Sequence, residues 1–351
     1  MIKKFTWLII LFFISFPIWN KQSDVILKSS GATFPYPLYK KWMAAYQEQT
    51  GVRITYDAIG SGSGIKDLLS QKVDFCGSDA FLSDEEMANL PQEILHIPSC
   101  LGAVVIIYNL PNHPEIKLTP QLMEAIFSGR ITSWSDNHIA AKNPGIRLPD
   151  MTINVVHRSE SSGTTFIFTN YLSTVSPRWR QEVGSGKTVS WPAGVGAETN
   201  GGIVDLIKRI PGTIGYVEMA YAKEAKLPMA RIRNKSGNFI SPTLESVSAA
   251  ADVELPPDTR TLIVDTAAPN GYPISSFTWL LFYKEQSFCN RTLKRTAALA
   301  GCLWWMIHEG QLINKNAGYG TLSREAVKKA EQILRSMTYN GKPLIEWEPG
   351  T

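Results

Sequence analysis

The chain has 351 residues, a length that sets a prior of about two domains, and its 44% hydrophobic and 19% charged content excludes global disorder. Lys+Arg number 35 against Asp+Glu 31, and the resulting net charge of +4 is too small and too dispersed to argue for a nucleic-acid partner. Four cysteines, with no CxxC pair and no histidine at zinc spacing, exclude a disulfide scaffold and give no structural zinc site.

Residues 1–23 read as an export signal. Lys3 and Lys4 precede an apolar run over 5–19, short for a membrane span of about 20 residues. The small-residue cleavage pattern is missing from Phe16-Pro17-Ile18-Trp19-Asn20, so cleavage near 20–24 and retention as a membrane anchor both stay open. Export exposes Cys76, Cys100, Cys289 and Cys302 to an oxidising compartment. Cys289 precedes a helix predicted over 290–308 and Cys302 lies within it. A continuous helix holds them roughly 20 Å apart, too far for a disulfide. Cys76 and Cys100 flank strand-like runs and pair only if those strands are neighbours; free buried thiols are the equal alternative.

Strand-like and helix-like patterns then alternate. A strand at 25–27 leads to a helix over 37–50 stopped by Gly51, followed by a strand with period-two alternation at 52–56. A short helix at 65–71 precedes a strand at 73–76. The apolar run 101–108 predicts a strand buried on both faces. A helix at 122–127, a strand at 152–156, a helix at 164–172, strands at 214–217 and 276–283, and a charged amphipathic helix at 323–337 complete the order. This alternation predicts an α/β fold with parallel sheets and crossover helices.

Three polar turns each follow a strand pattern and open a helix pattern. They are Ser29-Ser30-Gly31-Ala32-Thr33-Phe34-Pro35, Gly60-Ser61-Gly62-Ser63-Gly64 and Arg158-Ser159-Glu160-Ser161-Ser162-Gly163-Thr164. A helix start exposes unpaired N–H groups and a partial positive charge, and small residues let a ligand approach. That is the physics of an oxyanion site. Any single such turn is more often a plain helix cap; three in one chain, with Arg158 in the third, point to a tetrahedral anion. The Arg158 guanidinium suits such a ligand, and its ordinary alternative is a surface ion pair.

Two carboxylates complicate this reading. A carboxylate accepts hydrogen bonds and cannot donate, so Asp79 in an anion site tolerates only a ligand that carries a proton. It favours hydrogen phosphate over sulfate; its plain alternative is a cap for the helix start at 82–86. Glu160, two residues past Arg158, pairs with that arginine or accepts from the ligand. The patterns GxxxxGK[ST], HExxH and GxSxG are absent. The five histidines are scattered, and His157 beside Arg158 is the one candidate base near Ser162.

Six segments carry a resemblance: GATFPYPLYKKW (31–42), IGSGSGIKDL (59–68), VDFCGSDAF (73–81), HRSESSGTTFIFTNYL (157–172), WPAGVGAETNGGI (191–203) and PGTIGYVEMAYA (211–222). In this order, and over about 27–344, the chain resembles the substrate-binding proteins of high-affinity phosphate ABC transporters, the PstS-type phosphate-binding proteins. The resemblance implies a two-lobed periplasmic-binding-protein fold of type II, each lobe a mostly parallel sheet flanked by helices, with the ligand in the cleft. One lobe would be 24–100 plus 272–351 and the other 101–271. The implied phosphate set is Thr33, Phe34, Ser61, Asp79, Arg158, Glu160, Ser162, Gly163 and Thr164, with Phe34, Gly163 and Thr164 donating through backbone N–H. It implies a periplasmic monomer that hands inorganic phosphate to the membrane permease and ATPase subunits of a transporter. No cofactor, metal, catalysis or nucleic acid is implied. Two positions depart from the family pattern: Glu160 stands where Asp is usual, and Phe81 replaces the proline of SDAP. The competing readings are another oxyanion or an organic phosphate on the same fold, and an exported phosphatase using Ser162 or Ser61 as nucleophile.

Overall fold

The computed structural model describes residues 25–344; the segment read as an export signal, 1–23, lies outside the described residues. Eight strands form the main sheet: β1 (Ile26–Gly31), β2 (Arg53–Ala58), β3 (Phe75–Ser78), β4 (Ile94–Tyr108), β5 (Asn154–Arg158), β6 (Val195–Ala197), β7 (Thr213–Glu218) and β8 (Ser275–Tyr283). Their order across the sheet is β2-β1-β3-β8-β4-β7-β5-β6. The flanks are parallel, as the βα alternation predicts: β1 with β2 and β3 on one side, β5 with β7 and β6 on the other. The middle is antiparallel, because β4 and β8 are long strands that each run against both of their neighbours.

Strand β4 begins seven residues before the expected run. Pro98 interrupts the apolar pattern, yet it is accommodated at an irregularity, where Trp279 pairs with Pro98 and Thr278 with Cys100, leaving Ser99 without a direct partner. A bulge is where a strand tolerates a residue without an N–H. The Ser99 side chain is held by Tyr39 Oη at 2.8 Å and donates to Thr278 O at 3.0 Å. Strand β4 is buried along nearly its whole length. It pairs with β8 up to Ala103 and with β7 from Val104 onward, so one strand belongs to both halves of the molecule.

The helices follow from side-chain spacing and caps. Helix α1 (Tyr36–Thr50) buries Leu38, Tyr39, Trp42 and Tyr46 at three- and four-residue intervals and ends in left-handed Gly51, whose N–H reaches Gln47 O. Helix α2 (Ser61–Leu69) starts four residues before the expected helix. The glycine-rich turn is not a linker before this helix but its first turn. Further along come α3 (Pro120–Phe127), capped by Thr119, α4 (Gly163–Val175), capped by the Ser162 hydroxyl, and α5 (Thr199–Arg209). Helix α6 (Leu293–Ile307) and helix α7 (Arg324–Arg335) pack on the first half. Among the described residues, no helix is long and apolar enough to cross a membrane.

All four cysteines are free, three of them buried and Cys289 exposed. Cys76 on β3 and Cys100 on β4 are not on neighbouring strands, because β8 lies between them: Leu281 pairs with Cys76 and Thr278 with Cys100. The condition for that disulfide is therefore not met. Burial pushes the Cys76, Cys100 and Cys302 thiols well above their ordinary range, which keeps them protonated.

Candidate functional site

Strands from both halves end at one place. β1 runs into Thr33 and Phe34, β2 into Ser61, β3 into Asp79, and β5 ends in Arg158, just before Ser162, Gly163 and Thr164. The carboxyl ends of strands are where an α/β sheet presents helix starts and loops to a ligand. Thr33, Phe34, Ser61, Asp79, Arg158, Ser162, Gly163 and Thr164 are all buried, and Glu160 is half-buried.

Close approach explains the glycines. Gly60, the residue before α2, has φ 93°, a left-handed conformation that disfavours side chains. A Cβ on Gly64 would lie 2.3 Å from Gly31 Cα, so α2 can pack on the end of β1 only without one. A Cβ on Gly163 would meet Ser61 Oγ at 2.3 Å and Asp79 Oδ2 at 2.6 Å. The start of α4 thus lies directly against Ser61 and Asp79. As first-turn groups, the N–H donors of Ser61, Gly163 and Thr164 have no carbonyl four residues back to bind.

Arg158 is held from several sides. Its Nε donates to Glu160 Oε1 at 2.8 Å, its Nη2 to the same oxygen, and its Nη1 to Thr164 Oγ1 at 3.3 Å. Its backbone N–H reaches Tyr216 Oη at 3.1 Å, and that hydroxyl shares a 2.6 Å contact with Thr165 Oγ1. Glu160 Oε1 also accepts from Thr199 N at 2.9 Å. Burial raises the Glu160 pKa, but the hydrogen bonds and charge of Arg158 and the Thr199 N–H outweigh it and hold the carboxyl below its usual range. Of the two roles left open for Glu160, pairing with Arg158 is the one the geometry displays.

Asp79 is the acceptor at the centre. Its Oδ1 receives the Thr278 hydroxyl at 2.7 Å, its Oδ2 lies 3.5 Å from Ser61 Oγ, and its N–H donates to Ser61 Oγ at 3.2 Å. Burial pushes its carboxyl up to about 7, against the lowering pull of Thr278, Arg158 and Ser61. The helix-cap alternative for Asp79 fails, since Ser83 caps the helix Asp84–Ala88.

Several residues were not legible as site members. Asn200, fully buried on α5, donates to Thr33 Oγ1 at 2.9 Å and Thr164 Oγ1 at 3.4 Å and accepts from Glu218 N at 3.0 Å. Tyr221 Oη donates to Thr33 O at 2.7 Å and Tyr319 Oη to Phe34 O at 2.6 Å. Tyr319 Oη also lies 3.1 Å from Glu218 Oε2, and burial pushes the Glu218 carboxyl up to about 8. The segment ETNGG, which follows β6 and opens α5, carries the same polar-turn signal as the three turns, beyond its part in the resemblance.

The two halves are closed on each other. Gly62 N donates to Ser161 O at 3.1 Å, Asn200 reaches Thr33, Phe81 meets Phe166 edge-on at 5.9 Å, and Lys187 pairs with Glu86 at 3.2 Å. Phe81, in place of the expected proline, therefore contributes a ring to the interface. A cavity of about 620 Å³ lies elsewhere, lined by Thr119, Arg130, His138 and Arg233 among others, and holds none of these residues. His157 stacks on Trp191 at 4.9 Å, and its Nδ1–H donates to Arg158 O at 3.1 Å. That bond leaves Nε2 as the ring's acceptor, but among the described residues no hydrogen bond joins His157 to Ser162 or Ser61, the pairing a hydrolase reading needs.

A PBP superfamily domain matches residues 20–300. The chain is 34% identical to the phosphate-binding protein PstS of Pasteurella multocida, over 92% of this chain and 93% of that protein. It is 38% identical to PstS of Xylella fastidiosa strain Temecula1, over 91% and 88%, and 36% identical to PstS of Methanocaldococcus jannaschii, over 88% and 85%. Among solved structures, it resembles a periplasmic phosphate-binding protein bound with phosphate, at TM-score 0.69 and 23% identity over 88% of this chain and 93% of that one. It also resembles a phosphate-binding protein from Stenotrophomonas maltophilia, at TM-score 0.67 and 20% identity over 88% and 93%. At these identities the structures show the fold, which is the two-lobed one expected.

Proposed function

The chain belongs to the PstS phosphate-binding proteins of the PBP superfamily, and on that premise we propose that it captures inorganic phosphate between its lobes and delivers it to the permease of an ABC transporter. The observation that carries this reading is the position of Asp79, a buried acceptor placed against Ser61 and the Gly163 helix start. As the donors an oxyanion needs we assign the Thr33, Ser61, Ser162 and Thr164 hydroxyls, the N–H groups of Phe34, Gly163 and Thr164, and the Arg158 guanidinium. Glu160 compensates the arginine charge, so selection rests on directed donors and one acceptor rather than on net charge. A sulfate oxygen facing the Asp79 carboxylate is an unpaired repulsive contact, whereas hydrogen phosphate fills it with its proton.

Capture proceeds by closure. Open lobes admit phosphate, and the ligand favours the closed form because only there do donors from both lobes reach it. The lobes we assign are 24–100 plus 272–351 and 101–271, a division supported by the change of partners along β4. We place the exported, monomeric protein outside the cytoplasmic membrane, with the permease and its ATPase as partners. Calorimetry of the mature protein with phosphate, arsenate and sulfate at two pH values tests the reading. Tight phosphate and arsenate binding with weak sulfate binding supports it; no heat with phosphate overturns it.

A further inference from the structure

We infer that Asn200 is a positioning residue that orients one threonine hydroxyl on each lobe toward the bound anion; this rests on the phosphate reading above. The argument begins at Glu218, whose backbone N–H can only donate. It points at Asn200 Oδ1 across 3.0 Å, which fixes the amide orientation and leaves Nδ2 facing the threonines. Nδ2 then donates to Thr33 Oγ1 at 2.9 Å and to Thr164 Oγ1 at 3.4 Å.

A hydroxyl has one hydrogen and two lone pairs. Thr164 Oγ1 receives N–H groups from both Asn200 and Arg158, so its lone pairs are filled and its hydrogen is what remains for a ligand. Thr33 Oγ1 receives the other Asn200 hydrogen, which biases its own hydrogen the same way. The amide is fully buried, so water does not compete for these bonds. Thr33 follows β1 and Thr164 opens α4, so a single amide sets donors on both halves. It reaches Thr33 across the interface that closure forms. Asn200 therefore acts without itself having to touch the anion.

The test is a double-mutant cycle by phosphate calorimetry. Asn200→Ala and Asn200→Asp are each measured in the wild-type background and in Thr33→Val/Thr164→Val. Asn200→Asp keeps the acceptor for the Glu218 N–H, and so preserves that part of the packing if the alanine variant does not fold. Each substitution is expected to weaken phosphate by roughly tenfold or more in the wild-type background, with that loss shrinking about tenfold when both hydroxyls are gone. A loss of equal size in both backgrounds overturns the inference, since a structural or purely charge-based effect is indifferent to the hydroxyls. Wild-type protein that takes up no phosphate removes the phosphate reading itself, and this inference with it.

Discussion

Thr278 and Asp79 lie 199 positions apart in the chain, and the threonine hydroxyl fills one oxygen of the buried carboxylate across 2.7 Å. The other oxygen, Oδ2, is left beside Ser61 and the Gly163 helix start, and it is the one we propose receives a ligand proton. Asp79→Asn replaces that acceptor with an amide able to donate. The phosphate-to-sulfate affinity ratio is expected to narrow by about tenfold or more, equivalent to about 1.4 kcal/mol. Calorimetry on both anions reads it, and an unchanged ratio removes Asp79 from proton recognition.

The elevated pKa of Asp79, about 7, makes sulfate rejection dependent on pH. Below that value the carboxyl carries its own proton and can donate to an unprotonated oxygen; above it the carboxylate repels one. Sulfate affinity is therefore expected to rise as pH falls from 8.5 to 5.5. In Thr278→Val, which lacks a hydrogen bond favouring the charged form, the rise should begin at higher pH. A flat sulfate profile contradicts the assignment.

Arg158→Ala deletes the only permanent positive charge in the proposed set and leaves Glu160 without its main partner. The expected cost is about 3 kcal/mol, roughly a hundredfold in phosphate affinity. Affinity within twofold of wild type excludes Arg158 from the site.

Gly163→Ala tests closure itself. The added methyl group would sit 2.3 Å from Ser61 Oγ, an overlap relieved only by holding the lobes apart. Phosphate affinity should drop by roughly tenfold or more, while the ligand-free melting temperature stays close to wild type, because alanine suits the first turn of a helix. Solution scattering with saturating phosphate should show a more open particle than wild type; identical profiles and affinity would refute the steric argument.

Glu218 gives the ligand-free protein a pH-dependent stability. Its folded pKa, about 8, lies above the ordinary 4.5, so the folded state holds the proton more tightly. That contribution is fully present below about 4.5 and is lost as pH rises through 8. Glu218→Gln, which cannot ionise, is expected to gain melting temperature relative to wild type between pH 5 and pH 9. A difference that does not change with pH discards the neutral carboxyl.

The three helix starts were readable because each stays within one short stretch of chain, where Ser, Thr and Gly follow a strand pattern. Arg158 and Glu160 were readable as a pair for the same reason. Thr278 was not, because it sits in an apolar strand and meets Asp79 only through the order β3-β8-β4. Asn200 looks like an ordinary polar residue near a helix start until the lobes close on it. The periodic pattern begins only at 65, whereas Gly62 and Gly64 lie inside α2, where Ser161 and Gly31 leave no room for a side chain. Pro98 hid the first half of β4 because the bulge that absorbs it depends on a partner strand from the far end of the chain.

Strand β4, shared by both halves, also bears on the route by which a guest would depart in the proposed capture cycle. With Ile94–Ala103 tied to one half and Val104–Tyr108 to the other, the halves can swing about this spine but cannot slide past it without tearing a ladder. Gly102 on the spine lies against the Phe34 ring, close to the axle, while the half-exposed Gly62–Ser161 contact and the Lys187–Glu86 pair stand at the outer edge. On the capture cycle proposed above, a small rotation unfastens that edge first and disturbs the Phe34 end last, which makes release an ordered unpeeling that starts at the lips.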